Sequence, residues 1–187
     1  MWSYKDCKSM NVKNIYVFSG MSGVGKTSII NEITKDEQFV YPTMYTTRPM
    51  RQKVNDGKIQ VDEVQYEELP GKVVEFVFNN FKYAITNEEI QRANIFDLAP
   101  SGFKSLKQNY RGNRKIIIIY LWVNEKDRIK RMKERGESEA DIQQRIQYEK
   151  EEYRDVEKSV DFIVENSDLG ICIKRIRAII AKCEKLV

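Results

Sequence analysis

"NIYVFSGMSGVGKTSIINEI", residues 14–33, decides the fold. Ile15 to Phe18 form an apolar run that reads as a buried strand, closed by Ser19 and Gly20. Gly20 to Thr27 then spell G-x-x-x-x-G-K-T. Behind the motif, Ile29, Ile30 and Ile33 fall on one helical face. A strand, a glycine-rich loop and a helix in this order are the setting in which the motif binds phosphate. The loop's backbone N–H groups turn inward on an anion, and the helix N-terminus adds partial positive charge. The phosphate-binding candidates are Gly20, Ser22, Gly23, Val24, Gly25, Lys26, Thr27 and Ser28. Lys26 reaches toward the β- and γ-phosphates and the Thr27 hydroxyl toward Mg²⁺, which makes this an ATP or GTP site.

Outward from the loop, strands alternate with helices. "FVYPTMYTT" (39–47) reads as a strand broken by Pro42, and "RPMRQKVNDGK" (48–58) as a polar loop with a turn at Asp56-Gly57. "KVVEFVF" and "KYAIT" are two short strands separated by Asn79-Asn80. "NEEIQRA" is a short helix capped by Asn87. "NIFDL" is a buried strand ending near Asp97, followed by a helix opening on Pro100. "KIIIIYLWV" (115–123) is a fully apolar, β-branched strand. A charged helical stretch starts near Asn124, breaks at Gly136 and restarts from a Ser138 cap. "VDFIV" and a closing helix end the chain. The alternation, with an antiparallel patch at 72–86, predicts an α/β fold with a mainly parallel central sheet flanked by helices.

Bulk properties narrow the function. The 187 residues suit one domain with insertions, with enough chain for an unaided core. Net charge is only +4, weak for a nucleic-acid binder. No apolar run is long enough for a membrane span. Cys7, Cys172 and Cys183 have no metal-ligand spacing, and the expected environment is a reducing cytosol. The chain contains no histidine, which excludes histidine bases, triads and metal ligands at once.

Several charged residues have two readings. Arg48 and Arg51 lie three apart beside the nucleotide loop, as phosphate ligands or as solvated loop arginines. Glu75 interrupts an apolar strand; alternation sets it opposite to Val74 and Phe76, toward a ligand or toward water. Asp97, at the end of a buried strand, suits water-mediated Mg²⁺ binding or a simple turn. Arg131 and Arg135 share a helical face, Arg145 follows on the next helix, and all three serve phosphates or a salt-bridged surface.

"GMSGVGKT" together with "TTRPMR" (46–51) resembles the guanylate kinase family. The likeness runs through "VEFVFNNFKYAIT", "IFDLAPSGFKSL", "RIKRMKERGESEADIQQRI" and "DFIVENSD", over residues 14 to 180. It implies a P-loop kinase with an N-terminal extension (1–12), a core (13–45, 92–127 and 148–187), a small mixed or antiparallel NMP-binding subdomain (46–91) and a helical lid (128–147). It implies that Lys26, Arg48, Arg131, Arg135 and Arg145 are catalytic. Arg131, Arg135 and Asn166 then serve the ATP side, and Arg48, Arg51, Glu75, Tyr83 and Asp97 the acceptor, with Glu75 accepting guanine's N1–H and N2–H. Mg²⁺ falls to Thr27 and Asp97. The implied reaction is ATP-dependent phosphorylation of GMP or dGMP in the cytosol by a monomer or homodimer, with small-molecule partners and neither nucleic acid nor membrane.

Four positions depart from the family pattern, and all serve the acceptor. Met44 replaces a hydroxyl residue, Gln60 a tyrosine (with Tyr66 as stand-in), Ala99 an aspartate, and Ile85 a serine. Each lost partner costs about 1–3 kcal/mol of discrimination. Two alternatives therefore stand beside GMP: another small phosphorylated acceptor, whether a different monophosphate or a sugar phosphate, and a non-catalytic binding module.

Overall fold

The structure is a computed structural model and describes residues 12–49 and 58–185. Arg51, the Asp56-Gly57 turn and the N-terminal extension up to residue 11 lie outside the described residues. Strands β1 (Ile15–Ser19), β6 (Ile95–Asp97), β7 (Ile116–Trp122) and β8 (Phe162–Glu165) form an all-parallel sheet in the order β6-β1-β7-β8. Both faces of this sheet are covered, so β1 is apolar and buried at nearly every position. Its Tyr16 and Phe18 pack toward α1 (Lys26–Ile33) and α7 (Leu169–Lys185). Ile15 and Val17 face the second core, shared with α4 (Pro100–Asn109). Continuous apolar strands are what a doubly covered parallel sheet requires.

A second, mixed sheet runs β3-β2-β5-β4, from β2 (Met44–Thr46), β3 (Lys58–Gln60), β4 (Lys72–Phe78) and β5 (Phe81–Thr86). β4 and β5 form a hairpin whose two-residue turn, Asn79-Asn80, has φ of 50° and 66°. Two positive φ values suit the strand twist, and asparagine tolerates them. β2 starts only after Pro42 and joins this second sheet, so the boundary expected at residue 45 falls inside a strand. β3 and α2 (Glu63–Glu68) lie at and after the end of the expected 48–58 loop, where the sequence suggested no element. α3 (Asn87–Arg92) is capped by Thr86, not Asn87, its hydroxyl accepting from Glu89 N–H. Asn87 is the first helical residue.

α5 (Glu125–Glu134) and α6 (Glu139–Glu152) form a helical hairpin turned at Gly136, where φ is 80°. Ser138 caps α6 as the sequence indicates, and Asn124, read only as the start of the stretch, caps α5. Met132, Ile142 and Ile146 give the hairpin a small apolar cluster of its own. Among the described residues no helix is long and apolar enough to cross a membrane.

Candidate functional site

The loop after β1 opens at the carboxyl ends of the parallel strands, between β6 and β7, where such sheets place ligands. Gly25 caps α1 in the left-handed region, with φ of 95° and no side-chain hydrogen bond. The first N–H groups of α1 are left to an external acceptor. A Cβ on Gly25 would stand 2.5 Å from Asn166 Nδ2, and one on Gly23 would stand 2.6 Å from the Arg128 carbonyl. Lys26 lies inside the loop, donating to Gly20 O, with its ammonium 4.0 Å from Asp97 Oδ1. The Phe18–Asp97 pairing of β1 with β6 brings that carboxylate to the loop.

A cavity of about 750 Å³ starts here. Gly20, Ser22, Gly23, Gly25, Lys26, Thr27 and Ser28 form its floor. Arg48, Tyr83, Asp97, Arg135 and Arg145 also line it. Twelve of the sequence-derived candidates thus meet at one place.

Four of the described candidates do not line this cavity. Val24 is core, 1% exposed. Arg131 supports the loop from behind: its guanidinium donates to the carbonyls of Gly23, Val24 and Asn166 at 2.9–3.5 Å. Asn166 does the same, donating from Nδ2 to Val24 O at 2.6 Å. Both residues brace the phosphate loop through its carbonyls and do not face the cavity. Glu75 stands on the outer face of the second sheet, half exposed and paired with Lys72 at 3.2 Å. The cause is register. Phe76 pairs directly with Tyr83, and both line the cavity, so alternation turns the neighbouring Glu75 outward. Arg51 lies outside the described residues. Tyr66 is no stand-in either: it is buried on the outer side, donating to Tyr83 O at 3.0 Å.

Other residues of the site were not read from the sequence. Arg128 and Glu149 form an ion pair between α5 and α6, with side chains 5% and 1% exposed. Arg128 Nε donates to Ser22 O at 2.8 Å, and Glu149 Oε1 accepts from Ser22 N–H at 2.7 Å. The pair holds the loop by both backbone groups of one residue. Ser22 therefore presents its hydroxyl to the cavity side, where Arg145 donates to it at 3.3 Å, and not its N–H. Tyr153 donates to Gly20 O at 2.9 Å. Burial, with Glu149 and Asp97 adding negative charge, pushes the Tyr153 phenol well above its ordinary value, so it remains a donor. Glu137 bridges Arg135 at 2.7 Å and Arg145 at 3.5 Å, orienting both guanidinium groups. Lys58 brings a further cation to the wall.

The cavity has two chemically distinct ends. The loop end carries Lys26 and the hairpin arginines. The second sheet presents Met44, Phe76, Phe78 and Phe81. This shape accepts an elongated anion with charged phosphate at one end and a flat ring at the other.

Comparisons with known proteins point to one family. A family model described as guanylate kinase matches residues 12–183. The guanylate kinase of Syntrophus aciditrophicus is 30% identical over 175 residues, covering 87% of this chain and 83% of that protein. The guanylate kinase of Streptococcus mutans is 32% identical over 184 residues, covering 89% and 84%. The crystal structure of guanylate kinase from Anaplasma phagocytophilum superposes with a TM-score of 0.72 at 16% identity, over 94% of this chain and 88% of that one, a likeness of fold.

Proposed function

The chain belongs to the guanylate kinase family, and we propose on that premise that it transfers the γ-phosphoryl group of ATP to GMP. The observation that carries the reading is the single cavity shared by the loop of Gly20 to Thr27 and by Arg48, Arg135 and Arg145. ATP lays its phosphates on the loop, with Lys26 against them. The GMP phosphate meets Arg48 and Tyr83, with Arg51 as the second arginine of the same segment. Arg135 and Arg145 neutralise charge on the group in transfer, which is the main catalytic demand of phosphoryl transfer. A monophosphate has a second pKa near 6 and attacks as the ionised oxygen, so a chain without histidine needs no general base.

The residues present fit Mg²⁺. Thr27 and Asp97 bring a hydroxyl and a carboxylate, both hard oxygen donors, to the same cavity. Among the described residues no group of three or more Asp, Glu, Cys or His side chains could hold a metal alone. One or two protein oxygens, completed by water and substrate phosphate, is the usual magnesium arrangement. Bound there, the ion neutralises charge on the nucleotide's phosphates. Residues 128–147 act as the lid and 46–91 as the acceptor subdomain, a division supported by the hairpin's own apolar cluster and by the separate second sheet. We place the enzyme in the cytosol, where its buried Cys172 and Cys183 stay reduced.

The test is release of ADP from ATP and GMP by the full chain with Mg²⁺, beside Lys26→Ala. Loss of one such charge-stabilising donor lowers kcat by about 10²–10³. A Lys26→Ala protein that keeps most of its turnover would overturn the assignment of the loop.

A further inference from the structure

The turn that joins α5 to α6 puts a carboxylate between the two cavity arginines. Gly136 N–H donates to Lys133 O at 2.9 Å and Glu137 N–H to Met132 O at 3.2 Å, the paired bonds of a Schellman turn. The backbone therefore fixes where the Glu137 side chain starts. That side chain is 15% exposed, and each of its oxygens meets a different arginine. Oε1 accepts from Arg135 Nη2 at 2.7 Å, and Oε2 stands 3.5 Å from Arg145 Nε. Oε2 and Nε are both buried, and neither has a hydrogen bond to another group among the described residues. The other acids of the hairpin turn are occupied elsewhere: Glu134 with Lys130, Glu139 with Lys133 and Asp141 with Ser138.

From this arrangement we infer that Glu137 is a positioning residue for phosphoryl transfer: it sets Arg135 against Arg145, so that both guanidinium groups meet the transferring phosphate as one preformed unit. The inference rests on the kinase reading for the identity of that phosphate. A guanidinium donates from every nitrogen, so the grip leaves both arginines able to work. Glu137 engages Arg145 at Nε and leaves its terminal nitrogens for phosphate, with Nη1 already on the Ser22 hydroxyl at 3.3 Å. It takes one terminal nitrogen of Arg135 and leaves the others. Arg135 is the arginine that needs a tether, because its side chain is 49% exposed and would otherwise spread over many rotamers. The carboxylate also offsets the repulsion of two cations that share one cavity. Charge held in place before the reaction stabilises the transition state without reorganisation at that moment. The nucleotide's phosphates repel a carboxylate, so Glu137 adds nothing to ATP affinity, and its contribution falls on kcat.

The test measures ADP release from MgATP and GMP by the full chain, by Glu137→Gln, by Arg145→Met and by the double variant, together with their thermal midpoints. Glu137→Gln keeps the side chain's shape and the turn, whose bonds are backbone. The ion pairs it breaks are partly exposed, so its midpoint should fall by less than about 4 °C. Its kcat should fall about 10- to 100-fold, the cost of displacing a reacting group by about 1 Å. Its KM for ATP should not rise, since a negative charge near the phosphates is gone. In the Arg145→Met background the same substitution should cost at least about three-fold less, because one of the two groups it acts through is absent. A kcat within about two-fold of the unmodified chain, an equal loss in both backgrounds, or a KM that rises as kcat falls overturns the inference and leaves the kinase reading standing. A midpoint loss well beyond about 4 °C assigns Glu137 to holding the hairpin and overturns it too. An unmodified chain that turns over no GMP overturns the kinase reading, and the inference with it.

Discussion

Arg128→Met separates the electrostatic role of the α5–α6 ion pair from its grip on the phosphate loop. The substitution strands the Glu149 carboxylate at 1% exposure and removes the donor to Ser22 O. Breaking a buried pair from one side costs about 3–5 kcal/mol. For a chain of this size each kcal/mol moves the thermal midpoint by about 2–4 °C, so the midpoint falls by about 6–20 °C. The double variant Arg128→Met/Glu149→Leu removes both charges and recovers most of that stability, because apolar replacement of a buried pair is often neutral or better. It does not restore the side-chain partners of Ser22 N–H and C=O; Ser22 is only half-buried, so water replaces them at little cost in stability, and the loss falls on the order of the phosphate loop. Its KM for ATP therefore stays raised while its midpoint returns. Glu149→Gln keeps an acceptor for Ser22 N–H and should bind ATP better than Glu149→Ala. Thermal unfolding and initial rates against ATP read both quantities. A midpoint shift under about 2 °C in Arg128→Met, or a double variant no more stable than the single, would refute the reasoning.

Three further outcomes follow from the geometry. Gly25→Ala forces a side chain into the left-handed region, about 1–2 kcal/mol, and drives its Cβ onto the Asn166 amide, so ATP affinity should drop at least ten-fold; calorimetry showing unchanged affinity would contradict the loop geometry. Glu89 is pushed up by burial, but Arg92 and the Thr43 N–H, each at 2.6 Å, outweigh this and leave its carboxyl below the usual 4.5. A depressed folded value stabilises above pH 4.5 and is lost as pH falls through it, so Glu89→Gln should flatten the acid limb of stability; an unchanged limb would remove Glu89 from that role. Amides of residues 128–147 should gain hydrogen-exchange protection with ATP and GMP together, and equal exchange with and without them would argue against a closing lid.

The phosphate loop was legible because its signal is local: eight consecutive residues between a buried strand and an amphipathic helix. Glu75 was misplaced because motif likeness ignores which face of a strand a residue occupies. The information was nevertheless present. A two-residue turn at Asn79-Asn80 pairs 78 with 81, 77 with 82 and 76 with 83, so whichever way Tyr83 faces, Phe76 follows and Glu75 opposes. Glu149 also had a signal. Ile142, Ile146, Glu149 and Tyr153 recur at helical spacing, which puts a glutamate on the buried stripe of α6. Arg131 offered none. Helical periodicity joined it to Arg135, but α5 ends between them, and only packing sends one guanidinium behind the loop and the other into the cavity. β3 was missed because three paired residues are fixed by their neighbours, whereas α2 carried an unread local signal, the capping box of Asp62 and Gln65.

Ser22 and Gly20 have a mechanical consequence. Arg128 near the start of α5 and Glu149 near the end of α6 both fasten to Ser22, and Tyr153 fastens to Gly20. The two feet of the hairpin are thus pinned to one turn of backbone, while its tip rests on a separate cluster of Met132, Ile142 and Ile146. If residues 128–147 close as proposed, a hairpin held at both feet would tip about the line joining them rather than slide, with Arg128 and Glu149 as the axle and Arg135 and Arg145 carried on the moving part. Closure would then be coupled to the phosphate loop through Ser22.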